Sequence, residues 1–209
     1  ISARLIADLL EAAGANRVVI MEMHSHQIQG FFSIPCDHLI AAPEIVDYIK
    51  TNWQLSNTCL VAGDAGAAKM MKHYADRLQL PVAIMDKRRD GNNEQVTIKG
   101  VIGDVRGKRA LLIDDETSTG RTLIRDADYL LSQGGATGVD ACFVHAALGM
   151  EGAHALNASR IERFITTDTI PSEHLQIKSC TVVSVAKKFA ECIRRIHANE
   201  SIHSLNDPA

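Results

Sequence analysis

The sequence predicts an α/β protein, a mainly parallel, twisted sheet flanked by helices. Three observations carry that expectation. Short apolar runs alternate with helix-period segments of about 10 to 15 residues, the pattern of βαβ units. One run, 109–114, is a buried-type apolar strand that ends in two carboxylates and feeds directly into a helix. Ligands of such sheets bind where strands give way to helices, at the strands' carboxyl ends. Finally, a chain of 209 residues with 46% hydrophobic and 22% charged residues has ordinary globular composition. At this size it buries roughly 70% of its unfolded surface, enough for a core without staples.

In chain order, Ser2 caps a helix whose Leu5, Ile6, Leu9, Leu10 and Ala13 share one face, with Gly14 placed to stop it. A strand over 17–23 (RVVIMEM) follows, then a polar, His-bearing turn. Residues 36–42 read as a strand or extended connector, and Pro43 suits the first turn of a helix over 44–52. Next come strand 58–62, helix 65–78, strand 82–85, and a polar stretch through Asn93. Strands 96–103 and 109–114 precede a helix over 122–132, ended by Gly134 and Gly135. Strand 139–145, a helix near 151–157, strands 163–166 and 180–185, and a helix over 186–198 complete the count. Residues 201–209 read as a loose or docking tail, and no repeat or low-complexity segment interrupts the pattern.

Lys+Arg 22 against Asp+Glu 25 leave a net charge of −3, which disfavours the cationic field of a nucleic-acid-coating protein. No apolar run approaches the ~20 residues that span a bilayer, so a soluble, cytoplasmic protein with no membrane partner is expected. The five cysteines (Cys36, Cys59, Cys142, Cys180, Cys192) are odd in number and widely spaced, indicating neither a disulfide framework nor a CxxC metal site. Cys59, Cys142 and Cys180 lie in apolar runs and read as small core hydrophobes in a reducing compartment.

The stretch richest in chemistry is 109–122, RALLIDDETSTGRT. Thr117, Ser118, Thr119, Gly120 and Thr122 can offer backbone N–H groups and hydroxyls to a phosphate at a helix N-terminus, Gly120 allowing close backbone approach. Asp114 and Asp115 stand where vicinal sugar hydroxyls could donate to carboxylates. An acidic strand end before a capped helix would explain the hydroxyl residues but not the aspartate pair, so a phosphosugar site is favoured.

This segment resembles the phosphoribosyl diphosphate (PRPP) binding loop of the type I phosphoribosyltransferase fold. Together with ISARLIADLLEAAGANRVV, HSHQIQGFFSIP, VAGDAGAAK, DKRR and the TDTIP at 167–171, in that order, the chain resembles ribose-phosphate diphosphokinase, the PRPP synthase family. The resemblance runs from residue 1 to about 201 and covers only the second half of the family's usual length. It implies transfer of the β,γ-diphosphoryl group of MgATP to the anomeric hydroxyl of ribose 5-phosphate. By that resemblance Ser118, Thr119, Gly120, Arg121 and Thr122 hold the 5-phosphate, and Asp114 and Asp115 the ribose hydroxyls. His24 and Asp64 match positions near the ATP phosphates and their Mg2+. Lys87 and Arg89 match a basic catalytic pair on a mobile loop, a role that suits phosphoryl transfer, where charge neutralisation dominates. Asp90, Gly91, Asn92 and Asn93 make a hinge-capable tail for that loop. A homo-oligomer, a hexamer by family resemblance, is also implied.

Plainer readings stand beside these. Without the neighbouring motifs, 87–89 would read as a solvated loop, His24 as a turn residue and Asp64 as an N-cap. Arg194 and Arg195 read as dipole-complementing surface residues, and His73, His145, His154 and His197, which lack metal-ligand spacing, as structural or exposed. The loop reads STGRT where many synthases carry aspartate in place of Ser118 and glycine in place of Arg121, and AGDAGAA replaces the commoner SPDAGGA. A non-catalytic regulatory relative and a base-using phosphoribosyltransferase remain the alternatives; intact Lys87 and Arg89 favour the synthase over the first, and HSHQIQGFF over the second. The start at Ile1 and the partial coverage lead to an expected organisation: 1–42 as the end of an otherwise missing N-terminal domain plus connector, 43–200 as the phosphoribosyltransferase-like domain, and 201–209 as tail.

Overall fold

The computed structural model describes residues 2–89 and 96–206, with the side chains of Ala68, Arg89 and Val96 also outside the description. It divides into two compact units, one of residues 1–41 with 187–209 and one of residues 42–186.

The larger unit holds a seven-stranded sheet. Its elements are α2 (Ala42–Asn52), β3 (Thr58–Ala62), α3 (Ala68–Leu78), β4 (Val82–Arg89), β5 (Val96–Ile102), β6 (Arg109–Thr117), α4 (Arg121–Tyr129), β7 (Gly138–Ala146), α5 (Met150–Ala158), β8 (Phe164–Thr167) and β9 (Cys180–Val183). The strand order is β5-β4-β3-β6-β7-β8-β9. Every pairing is parallel except β4 with β5. The inner strands carry long buried runs, as in a sheet covered on both faces: all of β3 is buried, and β7 is interrupted only at His145. The core joins Val61, Met85, Leu112 and Phe143 from the sheet to Leu123, Ala127 and Leu130 from α4 and the turn after it. Cys59 and Cys142 are buried and Cys180 is half-buried.

The smaller unit contains α1 (Ser2–Ala12), the parallel pair β1 (Val18–Met21) and β2 (Cys36–Leu39), most of α6 (Ala186–His197) and α7 (His203–Asn206). Glu22 caps the end of β1 by accepting the N–H of Ala41 through Oε2 at 2.9 Å. Of α1, only Ala7 is buried, and Leu5, Ile6 and Leu9 are each more than half exposed.

Two expectations change. Residues 187–200 group with the opening segment rather than with 43–186, and of the tail, residues 203–206 form a short helix in that unit. Asn206 accepts the N–H of Ile40 at 3.0 Å and donates to the carbonyl of His38 at 2.7 Å, docking the chain end on β2. Second, the strand expected to stop at 85 continues to Arg89, because β5 supplies antiparallel partners: Lys87 faces Ile98, Arg88 faces Thr97 and Arg89 faces Val96. Lys87 and Arg89 are therefore strand residues, not loop residues.

Candidate functional site

From β3 the chain steps to β4 on one side and then crosses to β6 on the other, so the sheet order reverses at β3. Open α/β sheets leave a crevice at the carboxyl ends of the strands flanking such a reversal. The segment after β3 carries Asp64, the carboxyl half of β4 carries Lys87, and the end of β6 carries the acidic pair.

Strand β6 delivers that pair from the core. Leu111, Leu112 and Ile113 are buried, Asp114 and Asp115 half-buried and Glu116 exposed. Asp114 Oδ1 accepts the N–H of Asp115 at 3.0 Å, and Asp115 Oδ1 accepts that of Glu116 at 2.8 Å. Burial, then the charge and hydrogen bonding of Asp115, pushes the Asp114 carboxyl up to about 7, with the Lys87 charge opposing the shift.

The turn into α4 is built by side chain and neighbour together. Thr117 Oγ1 accepts the N–H of Gly120 at 3.2 Å, and the Gly120 carbonyl accepts the N–H of Ile124 at 3.0 Å to begin the helix. Gly120 has φ +72°, and a Cβ there would stand 2.8 Å from Leu156 Cδ2 of α5. A Cβ on Gly152 would stand 3.3 Å from the Thr119 backbone, so α5 lies directly against the turn. Asp114, Ser118, Thr119, Gly120 and Thr122 line one recess of about 90 Å³ at this helix N-terminus. Asp115 and Arg121 do not line it; the exposed Arg121 guanidinium is 3.4 Å from Glu151 Oε1.

Lys87 lies in the same unit, its side chain only 10% exposed, with Nζ 2.7 Å from Asp126 Oδ2. Arg89 ends β4 opposite Val96, but its side chain lies outside the described ones, as do Asp90, Gly91, Asn92 and Asn93. Asp64 is exposed and caps the following 3-10 turn, Oδ1 accepting the N–H groups of Gly66 at 2.8 Å and Ala67 at 3.2 Å. His24 is exposed in the bend after β1, in the other unit. Among the described residues, no group of three or more His, Cys, Asp and Glu side chains is arranged to hold a metal ion. Of the two residues expected to meet a metal ion, Asp64 offers a carboxylate, the hard oxygen donor that Mg2+ takes.

One site feature escaped sequence reasoning. Asp126 is wholly buried on the core-facing stripe of α4, between Leu123 and Leu130. That i+3, i−4 spacing was the available signal, since a carboxylate on a buried stripe requires a partner. His145, at the end of β7, has Nδ1 2.9 Å from Thr169 Oγ1, and the hydroxyls of Thr167 and Thr169 reach the Val144 carbonyl at 2.9 and 3.3 Å.

The family model of the phosphoribosyl synthetase-associated domain matches residues 92–206. A ribose-phosphate pyrophosphokinase of Streptomyces avermitilis is 40% identical over 209 residues, covering 99% of this chain and 64% of the relative. One of Aquifex aeolicus is 40% identical over 205 residues, covering 98% and 65%. The crystal structure of phosphoribosylpyrophosphate synthetase from Mycobacterium smegmatis aligns with a TM-score of 0.84 at 34% identity, over 95% of this chain and 64% of that one. The chain thus spans just under two thirds of the length of these relatives.

Proposed function

Since this chain belongs to the ribose-phosphate pyrophosphokinase family, we propose that it carries the ribose 5-phosphate site and the catalytic lysine of a diphosphoryl transfer from MgATP, making PRPP for nucleotide synthesis. The observation that carries this reading is the junction of β6 and α4. Asp114, a left-handed glycine turn and a helix N-terminus meet at one recess beside a strand-order reversal, with Asp115 next in the strand.

The α4 N-terminus and the Ser118, Thr119 and Thr122 hydroxyls would hold the 5-phosphate, an anion that unpaired N–H groups and the helix dipole favour. Asp114 and Asp115 would accept the ribose hydroxyls and fix the anomeric carbon. The anomeric oxygen then attacks the β-phosphorus of ATP, the bond to the α–β bridging oxygen breaks, AMP leaves and the hydroxyl proton is released. Lys87, with Arg89, would neutralise charge on the transferred group. Mg2+ enters with ATP as part of the substrate, and His24 and Asp64 are assigned to the nucleotide phosphates and that ion. We also propose a cytoplasmic homo-oligomer, a hexamer by family resemblance; no described helix is long and apolar enough to cross a membrane.

The test measures AMP release from MgATP and ribose 5-phosphate alongside calorimetry of sugar binding. Lys87→Ala is expected to lower kcat and kcat/KM equally and leave sugar affinity within about twofold. Taken alone, the chain is expected to bind the sugar without turnover, so kcat is read in an otherwise active form of the protein. Wild-type turnover in Lys87→Ala would favour the regulatory alternative, and no sugar binding would remove the phosphate-loop assignment.

A further inference from the structure

The Lys87 ammonium lies in a nearly closed site. Its Nζ is 2.7 Å from Asp126 Oδ2, and the two side chains are 10% and 1% exposed. A Cβ added to Gly63 would stand 3.6 Å from that carboxylate oxygen and 3.8 Å from the ammonium, so the pair sits directly beneath the turn that presents Asp64. Among the described residues, the other carboxylate oxygen of Asp126 is buried and accepts no hydrogen bond. Lys87 is thus the one described group on which this carboxylate spends its hydrogen-bonding capacity. Burial raises the Asp126 carboxyl, and the Lys87 charge and hydrogen bond oppose that rise.

The placement links two parts of the proposed site. Lys87 shares a face of β4 with the buried Ala83 and Met85. Asp126 is in the second turn of α4, the helix that begins at the phosphate turn. Resting on the reading of Lys87 as a catalytic cation, we propose that Asp126 is its positioning residue. It fixes the ammonium at the crevice and ties it to the helix whose N-terminus receives the sugar phosphate. An ammonium has three N–H donors, so one can remain on Asp126 while the others face the transferred group. A buried ion pair is weak evidence for stability, which leaves positional specificity as the benefit to be tested.

Three measurements on the protein decide this. Asp126→Asn keeps the shape and removes the charge. Lys87 is then expected to react at least about fivefold faster with an amine-directed acylating reagent, read by peptide mass spectrometry. The same variant should lose at least about tenfold in kcat with ribose 5-phosphate affinity kept within about twofold, and that loss should vanish in a Lys87→Ala background. Asp126→Glu keeps the charge on a longer arm, so labelling should stay slow while kcat still falls, because a misplacement near 1 Å is costly. Equal labelling in wild type and Asp126→Asn overturns the proposal. So does a kcat loss that persists in the Lys87→Ala background, or full kcat in Asp126→Glu. Wild-type turnover in Lys87→Ala would instead overturn the catalytic reading of Lys87, while the labelling ratio would still report whether Asp126 holds it.

Discussion

Asp114 carries its proton to an unusual pH for a carboxylate, because burial and the adjacent Asp115 push it up to about 7. A raised acid favours the folded state below its unfolded value of 3.8, and that contribution is lost as pH rises toward 7. Sugar binding at the proposed site is expected to run the other way, since ribose hydroxyls would donate to the ionised form. Ribose 5-phosphate affinity is expected to rise about tenfold from pH 6 to 8, with Asp114→Asn removing that share of the pH dependence in calorimetry. Asp115→Asn should weaken binding by ~1.5–3 kcal/mol at pH 8, the worth of a charge-assisted hydrogen bond; unchanged affinity would detach Asp115 from the sugar. At this scale the turn from β6 into α4 was legible in the sequence because its parts are contiguous and its residue types are chemically distinctive. Asp126 was not, because its partner lies 39 positions away and only the fold brings them together.

Among the elements, the turn between β6 and α4 depends on α5. Gly120→Ala would place a methyl 2.8 Å from Leu156 Cδ2 on a backbone with φ +72°. A loss of roughly 2 kcal/mol in stability is expected, with weakened sugar binding. Gly149→Ala, where a methyl meets nothing within 4 Å, should stay within about 0.5 kcal/mol in the same denaturant titration. The alternation of strands and helices was readable because apolar runs and glycine stops mark it locally. The length of β4 was not: DKRR looks solvated by composition, and only pairing with β5 makes it strand.

Across the molecule, the two ends of the large sheet do different work. Opposite the site, Asp140 is almost wholly buried between two guanidiniums, with Arg109 Nη1 at 3.2 Å and Arg163 Nη2 at 2.6 Å, and Arg163 lies 3.8 Å above the Trp53 ring. Asp140→Ala should cost about 3 kcal/mol, the low end for breaking a buried pair, because both arginines keep about a third of their surface in water. Sugar affinity of the folded variant should be unchanged in calorimetry. The grouping of 187–209 with 1–41 was beyond sequence reading, since the hydrogen bond from Ile40 to Asn206 spans 166 positions. The smaller unit also holds α1, an 11-residue helix with its leucine face in water. A helix this short, without burial of its apolar stripe, is marginal in isolation. Its amides are therefore expected to exchange with solvent deuterium at least about a hundredfold faster than those of β3 and β7, which open only with the whole sheet. Opening of α1 then precedes unfolding of the sheet, and a label on α1 and the fluorescence of Trp53 should report separate thermal midpoints, so that no single Tm describes the chain.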